Sequence, residues 1–151
     1  MKSIDDEIKF HLSKTGWYLG ETKIEVIDEI NGVKVVASSF NSLSLAYYEY
    51  GKIHMSKALI RHASLPQRRL IALHEYAHTF TVPDGVSQHD IEYACDRWAL
   101  GVMIKSGDYN ARELKDAISV FGDIVNEVET YTHPSSKDRY NRLKKQLREY
   151  V

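Results

Sequence analysis

Two histidines with a glutamate beside the first form the most chemically suggestive pattern in this chain. His74, Glu75 and His78 have the spacing His-Glu-x-x-His, in a segment whose apolar residues recur with helical periodicity. Because positions i and i+4 share one helical face, both imidazoles can bind one metal ion. A neighbouring carboxylate can take a proton from a zinc-bound water and pass it to a leaving amine. The pattern therefore predicts a zinc site with Glu75 as general base.

A third protein ligand is expected, since catalytic zinc usually has three and keeps one position open. Glu92 and Asp96 stand four residues apart on the next predicted helix, so they share a face. Glu92 is the favoured ligand, and Asp96 is expected to accept a hydrogen bond from the other ring nitrogen of His74. Asp84 and His89 are less favoured third ligands. Without the histidine motif, the two acidic residues would be interpreted as a solvated helix edge.

The elements before this motif are predicted to be mainly strands. Asn31-Gly32 is a strong hairpin signal, because a type I′ turn needs positive φ at both positions. The alternating apolar residues on either side of this turn and beyond it predict a small antiparallel sheet of three or four strands. The predicted elements are a helix over 3–16 and strands over 22–30, 33–40, 43–50 and 52–56.

The second half is predicted to be helical. The segment 64–67 combines a Ser cap, an early Pro and a capping-box Gln, and begins a helix that runs to about Phe80. Ser87 begins the helix that carries the acidic pair, and further helices are expected over 111–120 and from Pro134 almost to the end. Strands followed by helices favour an α+β fold, organised as a single domain over 1–151.

Composition limits the class of protein. The chain has 151 residues, with 20 Lys and Arg against 21 Asp and Glu, so a nucleic-acid partner is not favoured. The lone Cys95 cannot form an intrachain disulfide. No apolar run approaches the roughly 20 residues of a membrane span, and the first ten residues lack a signal-peptide core. We expect a soluble cytoplasmic protein, with its oligomeric state open.

The order of these motifs resembles the gluzincin class of zinc metallopeptidases. His74-Glu75-x-x-His78 followed by the segment 92–99 is most similar to the HtpX heat-shock protease and CAAX prenyl endopeptidase family. The segments 51–56, 105–110 and 132–139 resemble further parts of that family, and the similarity covers roughly 41–145. The compact layout, with no predicted membrane span, is similar to the short soluble minigluzincins.

The resemblance implies a zincin-like fold and a set of site residues. His74, His78 and Glu92 would be the zinc ligands, and Glu75 would be the general base. Asp96 would orient a ligand histidine by accepting a hydrogen bond from the ring nitrogen that does not bind zinc. A protein or peptide would be the substrate, because this family hydrolyses peptide bonds.

Two later residues and one strand also receive roles from the resemblance. His133 would stabilise the oxyanion that forms when hydroxide attacks the peptide carbonyl. Arg139 would pair with carboxylates near the zinc, chiefly Glu92. The strand over 52–56 would be an edge strand that holds an extended peptide by strand addition.

Two other interpretations stay open at this point. The ImmA/IrrE group of soluble proteases, which act on bacterial repressors, shares the histidine motif and a later acidic ligand, although the His133-Pro134…Arg139 segment favours the first family. The alternative from another class is a zinc-stabilised binding or regulatory module that cuts nothing, because a buried ion can stabilise a fold without chemistry.

Overall fold

A four-stranded sheet precedes six helices in the residues that the computed structural model describes, which are 25–38, 45–81 and 86–150. This order confirms the predicted α+β fold. The predicted helix over 3–16 and the candidate ligand Asp84 lie outside the described residues. No helix within the described ranges is long and apolar enough to cross a lipid bilayer.

The strands are joined by two tight turns. At the first turn, Asn31 and Gly32 have φ of 48° and 84°, which is the predicted type I′ conformation. At the second, Tyr50 and Gly51 have φ of 52° and 73°. The strands are β1 (Glu25–Ile30), β2 (Val33–Ser38), β3 (Ala46–Glu49) and β4 (Lys52–Ser56).

The sheet is mixed, so the prediction of an antiparallel sheet is wrong. Its strand order is β1-β2-β4-β3, and β2 pairs with β4 in parallel while the other two pairs are antiparallel. The reason is burial: Ile53 and Met55 of β4 are fully buried, whereas Tyr48 and Glu49 of β3 are exposed. The 52–56 strand therefore lies inside the sheet, and β1 and β3 are the outer strands of the sheet in the described residues.

Six helices follow the sheet. The helix with the histidine motif begins as predicted, with a capping box between Ser64 and Gln67. It ends at Ala77 rather than near Phe80, because the amides of Thr79 and Phe80 bond to carbonyls only three residues back. The helices are α1 (Lys57–His62), α2 (Leu65–Ala77), α3 (Gln88–Ser106), α4 (Ala111–Ile118), α5 (Val120–Asp123) and α6 (Ser136–Tyr150).

Helix α2 lies at the centre of the packing, against the sheet, α3 and α4. The apolar residues Leu70, Leu73 and Ala77, which recur at helical spacing, are buried, but Phe80, at the next such position, is 53% exposed. Helix α3 turns two acidic residues, Glu92 and Asp96, toward the interior, while Trp98 is only partly buried. The buried residues of α3 are Glu92, Cys95, Asp96, Ala99, Leu100 and Met103.

Candidate metal centre

Three side chains from two helices bring one donor atom each to a common point. His74 on α2 and His78, the residue that follows this helix, place their Nε2 atoms 3.1 Å apart. Glu92 on α3 places one carboxylate oxygen 3.0 Å from the Nε2 of His74 and the other 3.0 Å from the Nε2 of His78. Among the described residues, these three form the group of possible metal ligands that the structure brings together.

The donor set fits a zinc ion. With zinc–nitrogen and zinc–oxygen bonds of 2.0–2.1 Å, two donors on a tetrahedral ion lie about 3.3 Å apart. The two Nε2 atoms are 3.1 Å apart, close to that value, and each lies 3.0 Å from a different oxygen of Glu92, so either oxygen can complete the donor set. Neutral imidazole nitrogens and a carboxylate oxygen all present lone pairs, so their close approach is repulsive unless a cation or protons lie between them. Nitrogen and oxygen donors are also those that zinc accepts.

Asp96 fixes the orientation of the His74 ring from the opposite side. Its carboxylate lies 2.7 Å from the Nδ1 of His74, and both side chains are almost completely buried. A carboxylate can only accept, so Nδ1 carries a hydrogen, and Nε2 is the ring atom that can bind a metal ion or, without one, a second proton. This hydrogen bond is the one expected from the spacing of Glu92 and Asp96.

Arg139 of α6 pairs chiefly with Asp96, whereas the sequence resemblance implied Glu92. Its guanidinium donates two hydrogen bonds of 2.8 Å to the two oxygens of Asp96, and lies 3.7 Å from the nearer oxygen of Glu92. It also covers the ring of Phe121, 4.2 Å from the centroid. The fork geometry of the guanidinium matches a carboxylate, which explains the preference for one bidentate partner.

The pKa values of the two histidines are raised by the groups that surround them. Burial alone lowers the pKa of His74, but the charge of Asp96 and hydrogen bonds with Asp96 and Glu92 outweigh it and raise the pKa to about 10. Contact with the thiol of Cys95, followed by the hydrogen bond with Glu92, raises the pKa of His78 to about 9 against the effect of burial. Protons therefore fill the place of a cation when no metal is bound.

The pKa values of the three carboxylates differ according to their partners. Burial raises the pKa of Glu92, yet hydrogen bonds from His74 and His78 leave it well below its usual range. The pKa of Asp96 is lowered in the same way, because the nearby charges of His74 and Arg139 overcome burial. Burial is the main influence on Glu75, and it raises the pKa of that carboxyl group.

A cavity of about 230 Å³ opens over the three donor atoms. Glu75 lines it next to the histidines, and His133 lines it from the segment before α6, with its Nε2 4.0 Å from Glu92. The start of β3 at Leu45 and Ala46 forms one wall. A larger cavity of about 550 Å³ lies between α3 and α6, but none of the three donor atoms lines it.

The alternative third ligands are not part of this group within the described residues. His89 lies on the first turn of α3, where its Nε2 is 2.6 Å from the carbonyl oxygen of Thr130. Asp84 lies outside the described residues, and so does His11. Of the other histidines, His54 stacks on Tyr47 with 4.8 Å between ring centroids.

Three contacts around the site were not predicted from the sequence. The bidentate bond between Arg139 and Asp96 joins residues 43 positions apart, the bond of His89 to Thr130 joins residues 41 apart, and Cys95 contacts His78. The four-residue spacing from Glu92 to Asp96 predicts that the two lie on one helical face. No local spacing predicts that Arg139 of α6 is the partner of Asp96.

No protein-family model, curated protein or solved structure matches this chain. The chemistry of the site must therefore be inferred from its own residues and geometry.

Proposed function

We propose that this chain is a zinc-dependent endopeptidase of the gluzincin type, with a zincin-like fold. The observation that carries the proposal is the convergence of His74, His78 and Glu92 at the floor of a cavity that Glu75 also lines. Three protein ligands with an accessible fourth position are typical of catalytic rather than structural zinc, which is usually closed by four. The side of the group that faces the cavity leaves space for water and substrate.

Bound zinc would lower the pKa of a coordinated water to about 7 and polarise the carbonyl of the substrate. Glu75 would accept the proton of the attacking water and deliver it to the leaving nitrogen of the peptide. The burial that raises the pKa of Glu75 supports this role, because it makes the carboxylate a better proton acceptor near neutral pH.

His133 would donate a hydrogen bond from Nε2 to the oxygen that becomes negative during attack. Its position on the cavity wall, 48% exposed and within 4.0 Å of Glu92, supports contact with a substrate bound at the same group. A donor that meets charge only in the transition state raises the rate rather than substrate affinity. Asp96 and Arg139 would act behind the site, where they hold the His74 ring in the ligand orientation.

The edge strand β3 supports a peptide substrate. Its first residue, Ala46, and the preceding Leu45 line the cavity, and it is the outermost strand on that side of the described sheet. An extended peptide can add to such an edge through main-chain hydrogen bonds, which bring its backbone across the ligand group. Recognition through the main chain fits an endopeptidase, because main-chain groups are common to all peptides.

The test is Glu75→Gln, with Glu149→Gln as a matched control at an exposed glutamate on α6. The protein is loaded with one zinc ion per chain and incubated with dye-labelled casein. We expect both variants to keep zinc and the wild-type melting temperature, and only Glu75→Gln to lose cleavage, by a factor of about 10³ or more. Equal cleavage by the two variants would reject the mechanism.

The non-catalytic alternative makes a different prediction in the same experiment. A zinc-stabilised binding module would bind one zinc per chain and gain thermal stability, but wild type would not cleave casein or a random peptide library. Both functions predict that Glu92→Ala loses zinc, so this variant does not distinguish them. Cleavage by the wild-type protein does.

A further inference from the structure

The segment that carries His133 is a closed loop. Its two ends are joined by hydrogen bonds from the amide of Glu127 to the hydroxyl of Ser136, 2.8 Å, and from the amide of Ser136 to the carbonyl of Glu127, 3.0 Å. Ser136 is 5% exposed, so this base is fixed in the protein. Glu127 and His133 of this loop line the cavity, and Val128 and Tyr131 between them are exposed.

A tight turn inside the loop positions His133. The amide of Thr130 donates to the carbonyl of His133 at 2.8 Å, and the amide of His133 donates to the hydroxyl of Thr130 at 3.1 Å. The hydroxyl of Thr132 lies 2.9 Å from the Nδ1 of His133 and steadies the ring. The orientation of His133 therefore depends on where the backbone at Thr130 lies.

His89 connects this turn to the helix that supplies the glutamate ligand. Its Nε2 lies 2.6 Å from the carbonyl oxygen of Thr130, and because a carbonyl can only accept, Nε2 carries the hydrogen. In the described part of the chain, the other hydrogen bonds of 128–133 stay within the loop. His89 and Glu92 are three residues apart, so they lie on neighbouring turns of the same face of α3.

We propose that His89 is a positioning residue, which holds the loop over 127–136 so that His133 faces the ligand group. This inference rests on the proposed role of His133. One rigid helix then sets both the position of Glu92 and, through a single hydrogen bond, the position of the oxyanion donor. The side chain of Glu129 lies 3.6 Å from the Nδ1 of His89 and is 67% exposed, so its contribution is screened by water.

The experiment compares His89→Ala with His89→Gln, because the glutamine amide can reach the place of Nε2 and donate the same bond. Cleavage of dye-labelled casein by the zinc-loaded protein should show kcat reduced about five- to tenfold in His89→Ala, the effect of losing one hydrogen bond. KM and zinc affinity should stay within twofold of wild type, since the donor acts in the transition state. We expect His89→Gln to restore most of kcat. The matched control His62→Ala, an exposed helical histidine, should behave as wild type.

A second variant pair tests whether the effect passes through His133. In a His133→Ala background, adding His89→Ala should change kcat by less than twofold, because residues that act as a unit are not additive. A further tenfold loss in the double variant would overturn the proposal. Loss of zinc affinity in His89→Ala would also overturn it, because the variant would then act by displacing Glu92.

Hydrogen exchange supplies a measurement that does not depend on catalysis. The amides of Thr130 and His133 should exchange about tenfold faster in His89→Ala than in wild type, and at the wild-type rate in His89→Gln. Unchanged exchange in His89→Ala would show that the loop is held without His89. If wild type lacks peptidase activity, the proposed function fails, and the exchange rates alone decide whether His89 positions this loop.

Discussion

The substitution Asp96→Asn tests two roles of one buried carboxylate, which are to orient the His74 ring and to neutralise Arg139. Asp96 accepts a hydrogen bond from His74 at 2.7 Å and two from Arg139 at 2.8 Å, and it is 3% exposed. Asparagine keeps the shape but removes the negative charge and replaces one acceptor oxygen with a donor. The variant therefore weakens the hold on the His74 ring and leaves the guanidinium without its charged partner.

The two effects have different magnitudes. Changing a carboxylate that orients a ligand histidine typically weakens metal binding about 10–100-fold. Removing one partner of a buried ion pair costs about 3–5 kcal/mol of folding stability. Here the lower end applies, because Glu92 remains 3.7 Å from Arg139 and compensates part of its charge. We expect the metal-free variant to lose about 3 kcal/mol, a large share of the roughly 5–15 kcal/mol of a typical domain.

A second substitution distinguishes the tasks. Asp96→Asn combined with Arg139→Met removes the unpaired charge, so most of the lost stability should return, since replacing both partners of a buried pair is often nearly neutral. Zinc affinity should stay about 10–100-fold weaker than in wild type, because His74 still lacks its carboxylate. The control is Asp108→Asn, at an exposed aspartate after α3.

The assays are urea unfolding of the metal-free proteins and zinc competition against a fluorescent chelator at one pH. The reasoning would be refuted by Asp96→Asn binding zinc within twofold of wild type. It would equally be refuted if the double variant recovered zinc affinity together with stability, because the two tasks would then not be separable.

Three further predictions concern protons, the metal and the loop histidine. In the metal-free protein the pKa values of His74 and His78 are about 10 and 9, above the unfolded value of 6.5, so their protonation stabilises the fold fully below pH 6.5. The urea midpoint of metal-free protein should therefore fall as pH rises from 7 to 9.5, and that of zinc-loaded protein should change much less. Removal of zinc by a chelator should lower Tm by roughly 10 °C by calorimetry, because free zinc at 1,000 times Kd contributes about 4 kcal/mol. His133→Ala should reduce kcat about 10²–10³-fold with zinc affinity unchanged. A rise in KM of that size with kcat unchanged would contradict its role in the transition state.

Local chemistry explains which parts of the site could be predicted. His74 and Glu75 lie in the last turn of α2, and His78 follows it with α-helical backbone angles, so their geometry follows from helical periodicity. The Asn31-Gly32 turn and the capping box at Ser64 were predictable for the same reason, since a few adjacent residues determine each. Interactions between residues a few positions apart can be predicted from the sequence alone.

The features that were not predicted depend on residues far apart in the chain. The parallel pairing of β2 with β4 follows from burying Ile53 and Met55 at the centre of the sheet, which no turn signal specifies. The bidentate contact of Arg139 with Asp96 joins two helices through residues 43 positions apart, so no local spacing specifies it. A charged residue in a sequence resembles a surface residue until its buried partner is known.

The charges of the buried group give a physical reason for it to hold a divalent cation. Glu75, Glu92 and Asp96 surround the histidines, and Arg139 is the one guanidinium that the described residues bring into contact with Glu92 and Asp96. With neutral imidazoles and ionised carboxylates, this group carries two negative charges in excess. Burying such an excess is costly, so the site must take up either a doubly charged ion or protons on its histidines, which is the direction in which their pKa values move. The metal and the protons therefore compete for the same place, and zinc affinity should increase with pH over the range in which the histidines lose their protons.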